Sequence, residues 1–222
     1  MPGTRDVTVP GTRDGTVWPE MTEILLVRHG QSVWNAQGRW QGQADPPLSD
    51  LGLRQAEAAA QHLTTHEPFD GVATSTLQRA ATTASTIAER LGHAAPLAIA
   101  DLVERSAGEW SGLTRAEIDE RYPGYLGSRR YPPGYEYDDE LLVRVKRGLG
   151  DVVAKLEGER ILVVAHGGLV YCIEAALGLP FNHLSNLGAR WLVVDDEINL
   201  ALGPRIDLLV DFTGEHTTPT SI

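Results

Sequence analysis

Two short apolar segments, far apart in the chain, each end in a histidine that is followed by glycine. Residues 24–27 (ILLV) lead into Arg28 and His29, and residues 161–165 (ILVVA) lead into His166. Such runs are too short for a helix and are typical of strands buried inside a parallel sheet. The carboxyl ends of neighbouring parallel strands share one edge of the sheet, where α/β proteins bind ligands. The sequence therefore predicts that both imidazoles meet at one edge.

The rest of the chain alternates strand patterns with helical ones. Apolar spacing and capping residues predict helices that begin near residues 49, 78, 114, 138 and 167. Further strands are predicted at residues 69–73, 191–195, 198–202 and 206–212, at least some of the last three being antiparallel. This pattern predicts a three-layer α/β/α sandwich with a mostly parallel central sheet. Residues 122–137 are rich in Tyr, Gly, Pro and Arg, which predicts a long functional loop.

Cationic side chains are predicted at the same edge of the sheet. Arg79 falls early in a helix that follows the strand at residues 69–73, close to the carboxyl end of that strand. Together with Arg28 it supplies two guanidinium groups, each able to bind an anion through two hydrogen bonds. Backbone N–H groups at helix starts add to such a site, and an imidazole beside it can act as a nucleophile. Two Arg and two His around one point therefore predict a phosphate pocket.

Composition narrows the classes of function. The 222 residues, 42% of them hydrophobic, suffice for one sizeable core. The net charge of −11 disfavours general binding to nucleic acid or to an acidic membrane. No apolar run approaches the ~20 residues of a membrane span, and the N-terminus lacks the apolar core of a signal peptide. We therefore expect a cytoplasmic protein. Its single cysteine, Cys172, allows no intrachain disulfide and no zinc-type cysteine cluster.

The first 20 residues differ in character from the rest. They contain a tandem repeat, PGTRDVTV followed by PGTRDGTV, whose Gly, Pro and Thr offer no helical or strand face. We expect a disordered leader at residues 1–20, one domain at residues 21–213 and a frayed tail at residues 214–222. Met21 is a candidate functional start, and a chain beginning there should keep its fold and activity.

Five motifs occur in an order that resembles the histidine phosphatase superfamily, the phosphoglycerate mutase-like proteins. They read LVRHGQSVWN, GRWQGQADPPLSDLG, TSTLQRAATTA, LVERSAGEWSG and VVAHGG, and they fall within roughly residues 22–180. Arg-His-Gly alone is not specific, whereas the ordered set is highly specific. The resemblance implies a phosphoglycerate mutase-like fold and a phosphohistidine intermediate, with no metal and no organic cofactor.

The same resemblance implies a role for individual residues. His29 matches the nucleophile that becomes phosphohistidine, and Glu104 matches the proton donor to the leaving group. The matches to the phosphate pocket are Arg28, Arg79 and His166. Matches to positions that contact phosphate or substrate are Asn35, Gln41, Gly42 and Gly167.

Two chemical requirements accompany these roles. His29 must be neutral to attack phosphorus, and we expect Arg28, Arg79 and a protonated His166 to lower its pKa. A proton donor is required for the leaving alkoxide. Glu109 is the rival of Glu104 for this role, and we interpret it as a surface or substrate-loop residue.

The choice between phosphatase and mutase depends on the residues just after Glu104. Residues 108–112 (GEWSG) resemble the Gly-x-Trp-x-Gly pattern of the phosphatase branches, and Ser106 and Ala107 replace the usual His-Tyr pair of mutases. Residues 132–137 depart from the Gly-Gly-Glu-Ser-like segment of other phosphatases, which leaves the substrate open. Four basic residues fall near the positions where mutases bind a substrate carboxylate. The alternative is that they are solvated surface charges. They are Arg105, Arg115, Arg129 and Arg130.

We therefore predict a phosphomonoesterase that acts on a small phosphorylated metabolite, with or without a carboxylate. A phosphoglycerate mutase is the alternative, and a non-catalytic binder of phosphorylated ligands is a third class. The intact set of His29, Arg79, Glu104 and His166 argues against the third. The expected partner is the small-molecule substrate, not nucleic acid or membrane, and a homodimer is left open.

Overall fold

The computed structural model describes residues 21–210 and 212–213. The predicted leader and the predicted tail after residue 213 lie outside the described residues. The strands are β1 (Met21–Arg28), β2 (Gly71–Ser75), β3 (Leu97–Ile99), β4 (Arg160–Ala165), β5 (Gly188–Asp195) and β6 (Leu200–Asp207). The helices are α1 (Val33–Ala36), α2 (Asp50–Leu63), α3 (Gln78–Leu91), α4 (Arg115–Arg121), α5 (Tyr125–Ser128), α6 (Asp138–Lys155) and α7 (Gly167–Ala176). Short 3₁₀ helices lie at Ala100–Leu102 and Gly108–Trp110.

The six strands form one sheet in the order β3-β2-β4-β1-β5-β6. The first four of these strands run parallel, and β5 is antiparallel to both β1 and β6. The two apolar segments that end in histidine are direct neighbours, since β1 pairs with β4 and Arg28 lies opposite Ala165. The mostly parallel sheet predicted from the sequence is confirmed.

Apolar side chains cover both faces of this sheet. Along β1, Ile24 and Leu26 pack into one core with α6 and α7, whereas Leu25 and Val27 pack into a second core with α2 and α3. Because successive strand residues point to opposite faces, an unbroken apolar run is what a strand between two helical layers requires. The predicted three-layer sandwich is confirmed.

The strands predicted at residues 69–73, 198–202 and 206–212 differ from the observed ones. β2 begins two residues later than predicted, because Asp70 turns its carboxylate to the backbone N–H groups of Glu159 and Arg160, each at 2.9 Å. The separate strands predicted at residues 198–202 and 206–212 are replaced by one strand, β6, which ends at Asp207, whose Oδ1 accepts a hydrogen bond from the backbone N–H of Leu209 at 2.9 Å. Such a side-chain turn stops a strand. Leu208 and Leu209 are buried in the second core, whereas Val210 is 69% exposed.

Candidate active site

The ends of β1 and β4 bring two histidines together. The backbone N–H of His29 donates to the carbonyl oxygen of Ala165 at 3.1 Å, which continues the parallel ladder by one residue. The ring centroids of His29 and His166 lie 5.1 Å apart, edge to face. The predicted meeting of the two imidazoles at one edge of the sheet is therefore observed.

Hydrogen bonds define which nitrogen of His29 is free to react. Its Nδ1 lies 2.6 Å from the carbonyl oxygen of Gly30, an acceptor, so Nδ1 carries the hydrogen. The other nitrogen, Nε2, then has the lone pair, and it accepts a hydrogen bond from Arg79 Nε at 3.2 Å. His29 is only 2% exposed, yet it lines a cavity. The arrangement presents Nε2 as a potential nucleophile.

Both histidines are held in the neutral form. Burial, followed by the charges of Arg79 and Arg28, lowers the pKa of His29 well below its ordinary value. Burial is also the largest cause for His166, whose pKa is likewise well below its ordinary value. The expected protonated His166 is thus wrong, because a fully buried imidazole beside two guanidinium groups loses its proton. The two arginines and burial lower the pKa of His29 without help from a charged His166.

Arg79 connects His29 to the loop between α1 and α2. Its guanidinium donates to the carbonyl oxygens of Ala44 at 2.7 Å and Gly42 at 3.0 Å. Burial lowers the pKa of Arg79 to about 10, so the side chain stays charged at neutral pH. Gly42 has a φ of +51°, and a Cβ there would lie 2.7 Å from the backbone nitrogen of Ala107. Glycine is therefore needed for the close approach of this loop.

The segment between α7 and β5 supports the end of β1, which the sequence did not reveal. Arg28 Nη1 donates to the carbonyl oxygen of Leu184 at 2.5 Å, and the hydroxyl of Tyr171 accepts from the backbone N–H of Leu184 at 2.9 Å. Asn186 donates from Nδ2 to the carbonyl oxygen of His29 at 3.0 Å. The contacts of Arg28 and His29 join residues more than 150 positions apart, so no local pattern could have indicated them.

Ser75, at the end of β2, contacts His166 from the other side of β4. Its hydroxyl lies 2.8 Å from His166 Nε2. The remaining nitrogen, Nδ1, is buried and has no hydrogen-bond partner among the described residues. Ser75 lies within the TSTLQRA motif, but only the strand order shows that it reaches His166.

Glu104 enters the site from the segment after β3. Its carboxylate accepts hydrogen bonds from the backbone N–H of Arg105 at 2.7 Å and from that of Gly168, in the first turn of α7, at 3.2 Å. A Cβ at position 168 would lie 2.2 Å from Glu104 Oε1, so a larger residue there would displace the carboxylate. The rival Glu109 is exposed and accepts from the hydroxyl of Tyr122 at 2.6 Å. Only Glu104 of the two lines the cavity.

One cavity of about 540 Å³ opens over these groups. Arg79 and His166 do not line it, because they lie buried beside His29. The site residues suggested by the sequence that line it are Arg28, His29, Asn35, Gln41, Gly42, Glu104, Arg105, Arg129 and Gly167.

The two polar loop residues are held by the turn that starts α1. Asn35 Oδ1 accepts from the backbone N–H of Ser32 at 3.1 Å, as part of the capping box of α1. Gln41 Oε1 accepts from the hydroxyl of Ser32 at 2.6 Å. Both side chains therefore reach the cavity wall through contacts with one serine.

The four arginines that the sequence suggested for a substrate carboxylate separate into different environments. Arg105 lines the cavity but binds Asp138 at 2.5 Å, and Arg129 lines it with no side-chain partner among the described residues. Arg115 is 60% exposed on α4, beside Asp119. Arg130 lies over the ring of Tyr125, 4.4 Å from its centroid. The structure thus brings Arg105 and Arg129 to the cavity and leaves Arg115 and Arg130 outside it.

Neither a metal-ligand cluster nor a membrane-spanning helix occurs among the described residues. No group of three or more His, Cys, Asp or Glu side chains there is arranged to hold a metal ion. Within the same residues, no helix has the length and apolar character that crossing a membrane requires.

The chain is similar to known proteins of one family. The family description "Histidine phosphatase superfamily (branch 1)" matches residues 24–193. A metal-independent phosphoserine phosphatase of Arabidopsis thaliana is 38% identical over 169 residues, or 73% of this chain and 71% of that protein. A glucosyl-3-phosphoglycerate phosphatase of Mycolicibacterium vanbaalenii is 35% identical over 187 residues, or 76% of this chain and 82% of that protein.

The fold agrees with solved structures of similar proteins. The structure of a mycobacterial glucosyl-3-phosphoglycerate phosphatase complexed with VO3 matches with a TM-score of 0.71 at 34% identity. The match covers 82% of this chain and 97% of that one. This chain belongs to branch 1 of the histidine phosphatase superfamily, and it is a phosphatase.

Proposed function

We propose that this phosphatase hydrolyses a small phosphomonoester through a phosphohistidine at His29. The observation that carries the proposal is the hydrogen bond between Nδ1 and the carbonyl oxygen of Gly30, which leaves the lone pair on Nε2. In the first step Nε2 attacks phosphorus, the ester P–O bond breaks, and the leaving oxygen takes a proton. In the second step water attacks phosphorus, the P–N bond breaks, and inorganic phosphate leaves.

Arg28 and Arg79 stabilise the negative charge on the transferred phosphoryl group. Guanidinium groups bind phosphoryl oxygens in a bidentate manner, and charge stabilisation dominates catalysis of phosphoryl transfer. Neutral His166 contributes as a donor: when Ser75 gives its O–H to Nε2, Nδ1 carries the hydrogen and is available to a phosphoryl oxygen. Backbone N–H groups at the start of α7 add to the same charge stabilisation.

Glu104 is the proposed acid and base. In its protonated form it gives the proton that the leaving alkoxide requires, and its carboxylate then accepts the proton of the attacking water. Its place on the cavity wall, beside Gly167 and Gly168, supports this role. General acid–base catalysis of this kind contributes about 10²–10⁴-fold in rate.

Arg129 is the proposed partner of a carboxylate on the substrate. Among the described residues it has no carboxylate partner, and its backbone φ of +53° is rare for residues other than glycine. Strained backbone of this kind concentrates at functional positions. Phosphoserine and phosphoglycerate, which the names of the two relatives contain, each carry a carboxylate. A carboxylated phosphomonoester is therefore the preferred substrate class.

The experiment that tests this function is a screen of phosphate release over a panel of phosphorylated metabolites. Purified protein should release inorganic phosphate with at least one carboxylated ester, and activity should survive EDTA because Arg and His meet the phosphate charge. The His29→Ala variant is the control. Phosphoryl exchange with 2,3-bisphosphoglycerate that is faster than phosphate release would make the protein a mutase instead.

A further inference from the structure

Residues 131–137, here called the tyrosine segment, form part of the cavity wall that the proposed chemistry does not use. Tyr131 and Tyr135 both line the cavity, and their rings stack almost parallel with centroids 4.0 Å apart. Tyr137 contacts both rings edge to face, at 5.8 Å. Burial raises the pKa of Tyr135, so its phenol is neutral across the physiological range. The two rings give this wall an aromatic, neutral surface, with the Arg105 guanidinium 5.5 Å from the centroid of the Tyr135 ring.

Backbone contacts attach the tyrosine segment to the chain that carries Glu104. The N–H of Glu136 donates to the carbonyl oxygen of Ser106 at 3.1 Å, and the N–H of Glu109 donates to that of Pro133 at 3.2 Å. Gly108 permits this approach: its φ is +54°, and a Cβ there would lie 2.2 Å from the Pro133 oxygen. The tyrosine rings are therefore held at a defined place relative to the reacting groups.

Apolar side chains from a different part of the chain line the same cavity. Leu179, Pro180 and Phe181 follow α7, and Leu179 and Phe181 are 40% and 64% exposed. The Phe181 ring lies 4.9 Å from that of Tyr171. Large exposed apolar side chains that lie together at one cavity indicate a ligand-binding surface.

The cavity therefore divides by depth into two chemical environments. His29 and Arg28, at the strand ends, are almost completely buried, whereas Leu179 and Phe181 are exposed. The buried part suits a phosphoryl group, and the apolar side of the outer part suits an apolar body, beside the exposed Arg129. A volume of about 540 Å³ lies within the range for ligands much larger than phosphate.

We propose that the tyrosine segment and the Leu179–Pro180–Phe181 segment form a leaving-group subsite for phosphomonoesters whose alcohol bears a flat apolar ring. This inference rests on the proposed function, because the phosphoryl group must sit at His29 for the alcohol to reach the outer cavity. An aromatic ring gains both apolar burial and ring stacking on such walls. A short alkyl alcohol has no ring to stack and little apolar area to bury, so it gains little.

Binding of two phosphonates tests the subsite without catalysis. 3-Phenylpropylphosphonate mimics an ester of 2-phenylethanol, and propylphosphonate mimics ethyl phosphate with the ring removed. Isothermal calorimetry should show the phenyl compound binding about tenfold tighter, as expected for burial plus stacking of one ring. Affinities within twofold of each other would overturn the proposal.

Single substitutions then test which side chains cause the tighter binding of the phenyl compound. Phe181→Ser and Tyr131→Ser should each bring the ratio of the two affinities towards one. The matched control is Val143→Ser on α6: Val143 is 66% exposed, like Phe181, but lies outside the cavity wall. It should keep the wild-type ratio. A ratio that survives both cavity substitutions would overturn the subsite.

Failure of the subsite and failure of the proposed function give different results. If both phosphonates bind equally while ethyl phosphate forms a phosphoenzyme on His29, the subsite alone is wrong. If the phenyl compound binds tighter but no ester phosphorylates His29, the subsite stands as a binding site and the phosphohistidine mechanism is wrong.

Discussion

Arg144 binds the carboxylate of Glu136 through two hydrogen bonds, from Nε at 2.8 Å and from Nη2 at 2.7 Å. The same guanidinium donates from Nη1 to the carbonyl oxygens of Asp101 at 2.7 Å and Val103 at 2.8 Å. Arg144 thus holds the backbone at Asp101 and at Val103 and, through Glu136, the tyrosine segment. We infer that Arg144 positions the segment that carries Glu104.

Arg144→Lys should therefore impair proton donation. Lysine keeps the charge but lacks the planar fork that reaches several acceptors at once. We expect kcat for an alkyl phosphate to fall about tenfold or more, since small displacements of a catalytic group are costly, with a smaller loss for p-nitrophenyl phosphate.

The matched control is Arg147→Lys. Arg147 lies one turn further along α6, is 62% exposed and binds the Asp101 carboxylate. Exposed ion pairs contribute little, so its kinetics should stay close to wild type. Equal losses on both esters in Arg144→Lys would show that Arg144 supports the fold and not the acid.

Glu104→Gln separates acid catalysis from a charge-pairing role. Glutamine keeps the size and hydrogen-bonding capacity but has no carboxyl proton to give. The burst of alkyl alcohol release should slow by about 10²-fold or more, whereas p-nitrophenolate, a good leaving group, should depart nearly as fast as in wild type. Rapid-quench kinetics measure both bursts.

Glu109→Gln is the companion variant. Because Glu109 is exposed and bound to Tyr122, it should leave both bursts unchanged. If the leaving-group dependence appeared in Glu109→Gln and not in Glu104→Gln, the acid would have to be reassigned to Glu109.

The neutral, buried His166 predicts how stability depends on pH. In the unfolded chain an imidazole takes up a proton as the pH falls through about 6.5, whereas the folded protein keeps His166 neutral to a lower pH. The unfolded state therefore binds more protons, and the free energy of unfolding falls as the pH falls below about 6.5. In His166→Gln the slope of that decline should be shallower by about 1.4 kcal/mol per pH unit.

Urea denaturation of both proteins at several pH values between about 7 and 5 measures the two slopes. The comparison uses slopes, so a constant loss of stability in His166→Gln does not affect it. Identical slopes would show that His166 is already protonated in the folded protein.

The sheet and the meeting of His29 and His166 could be predicted because their signals are local. Each strand is a short apolar run, and parallel pairing aligns their ends whatever the intervening sequence. Glu104 was recognised only through the motif that contains it, because nothing in its neighbourhood fixes its approach to α7. That approach depends on Gly168, 64 positions away.

Residues that support the site from a distance could not be predicted. A charged residue on a helix, such as Arg144, usually faces solvent, and its contacts with residues 101–104 depend on how α6 packs on the sheet. Asn186 reaches His29 only through the connection to β5. The apolar run at residues 206–212 predicted a strand because short apolar runs do not distinguish a strand from a buried turn.

The central claim is that His29 becomes phosphorylated during turnover. Rapid quenching of wild-type protein with its best substrate, followed by denaturing mass spectrometry, should show an acid-labile phosphoryl group that peptide fragmentation places on His29. The His29→Ala variant should show none, while its circular dichroism spectrum stays that of the folded protein. A phosphoryl group on another residue, or one that persists in His29→Ala, would contradict the account.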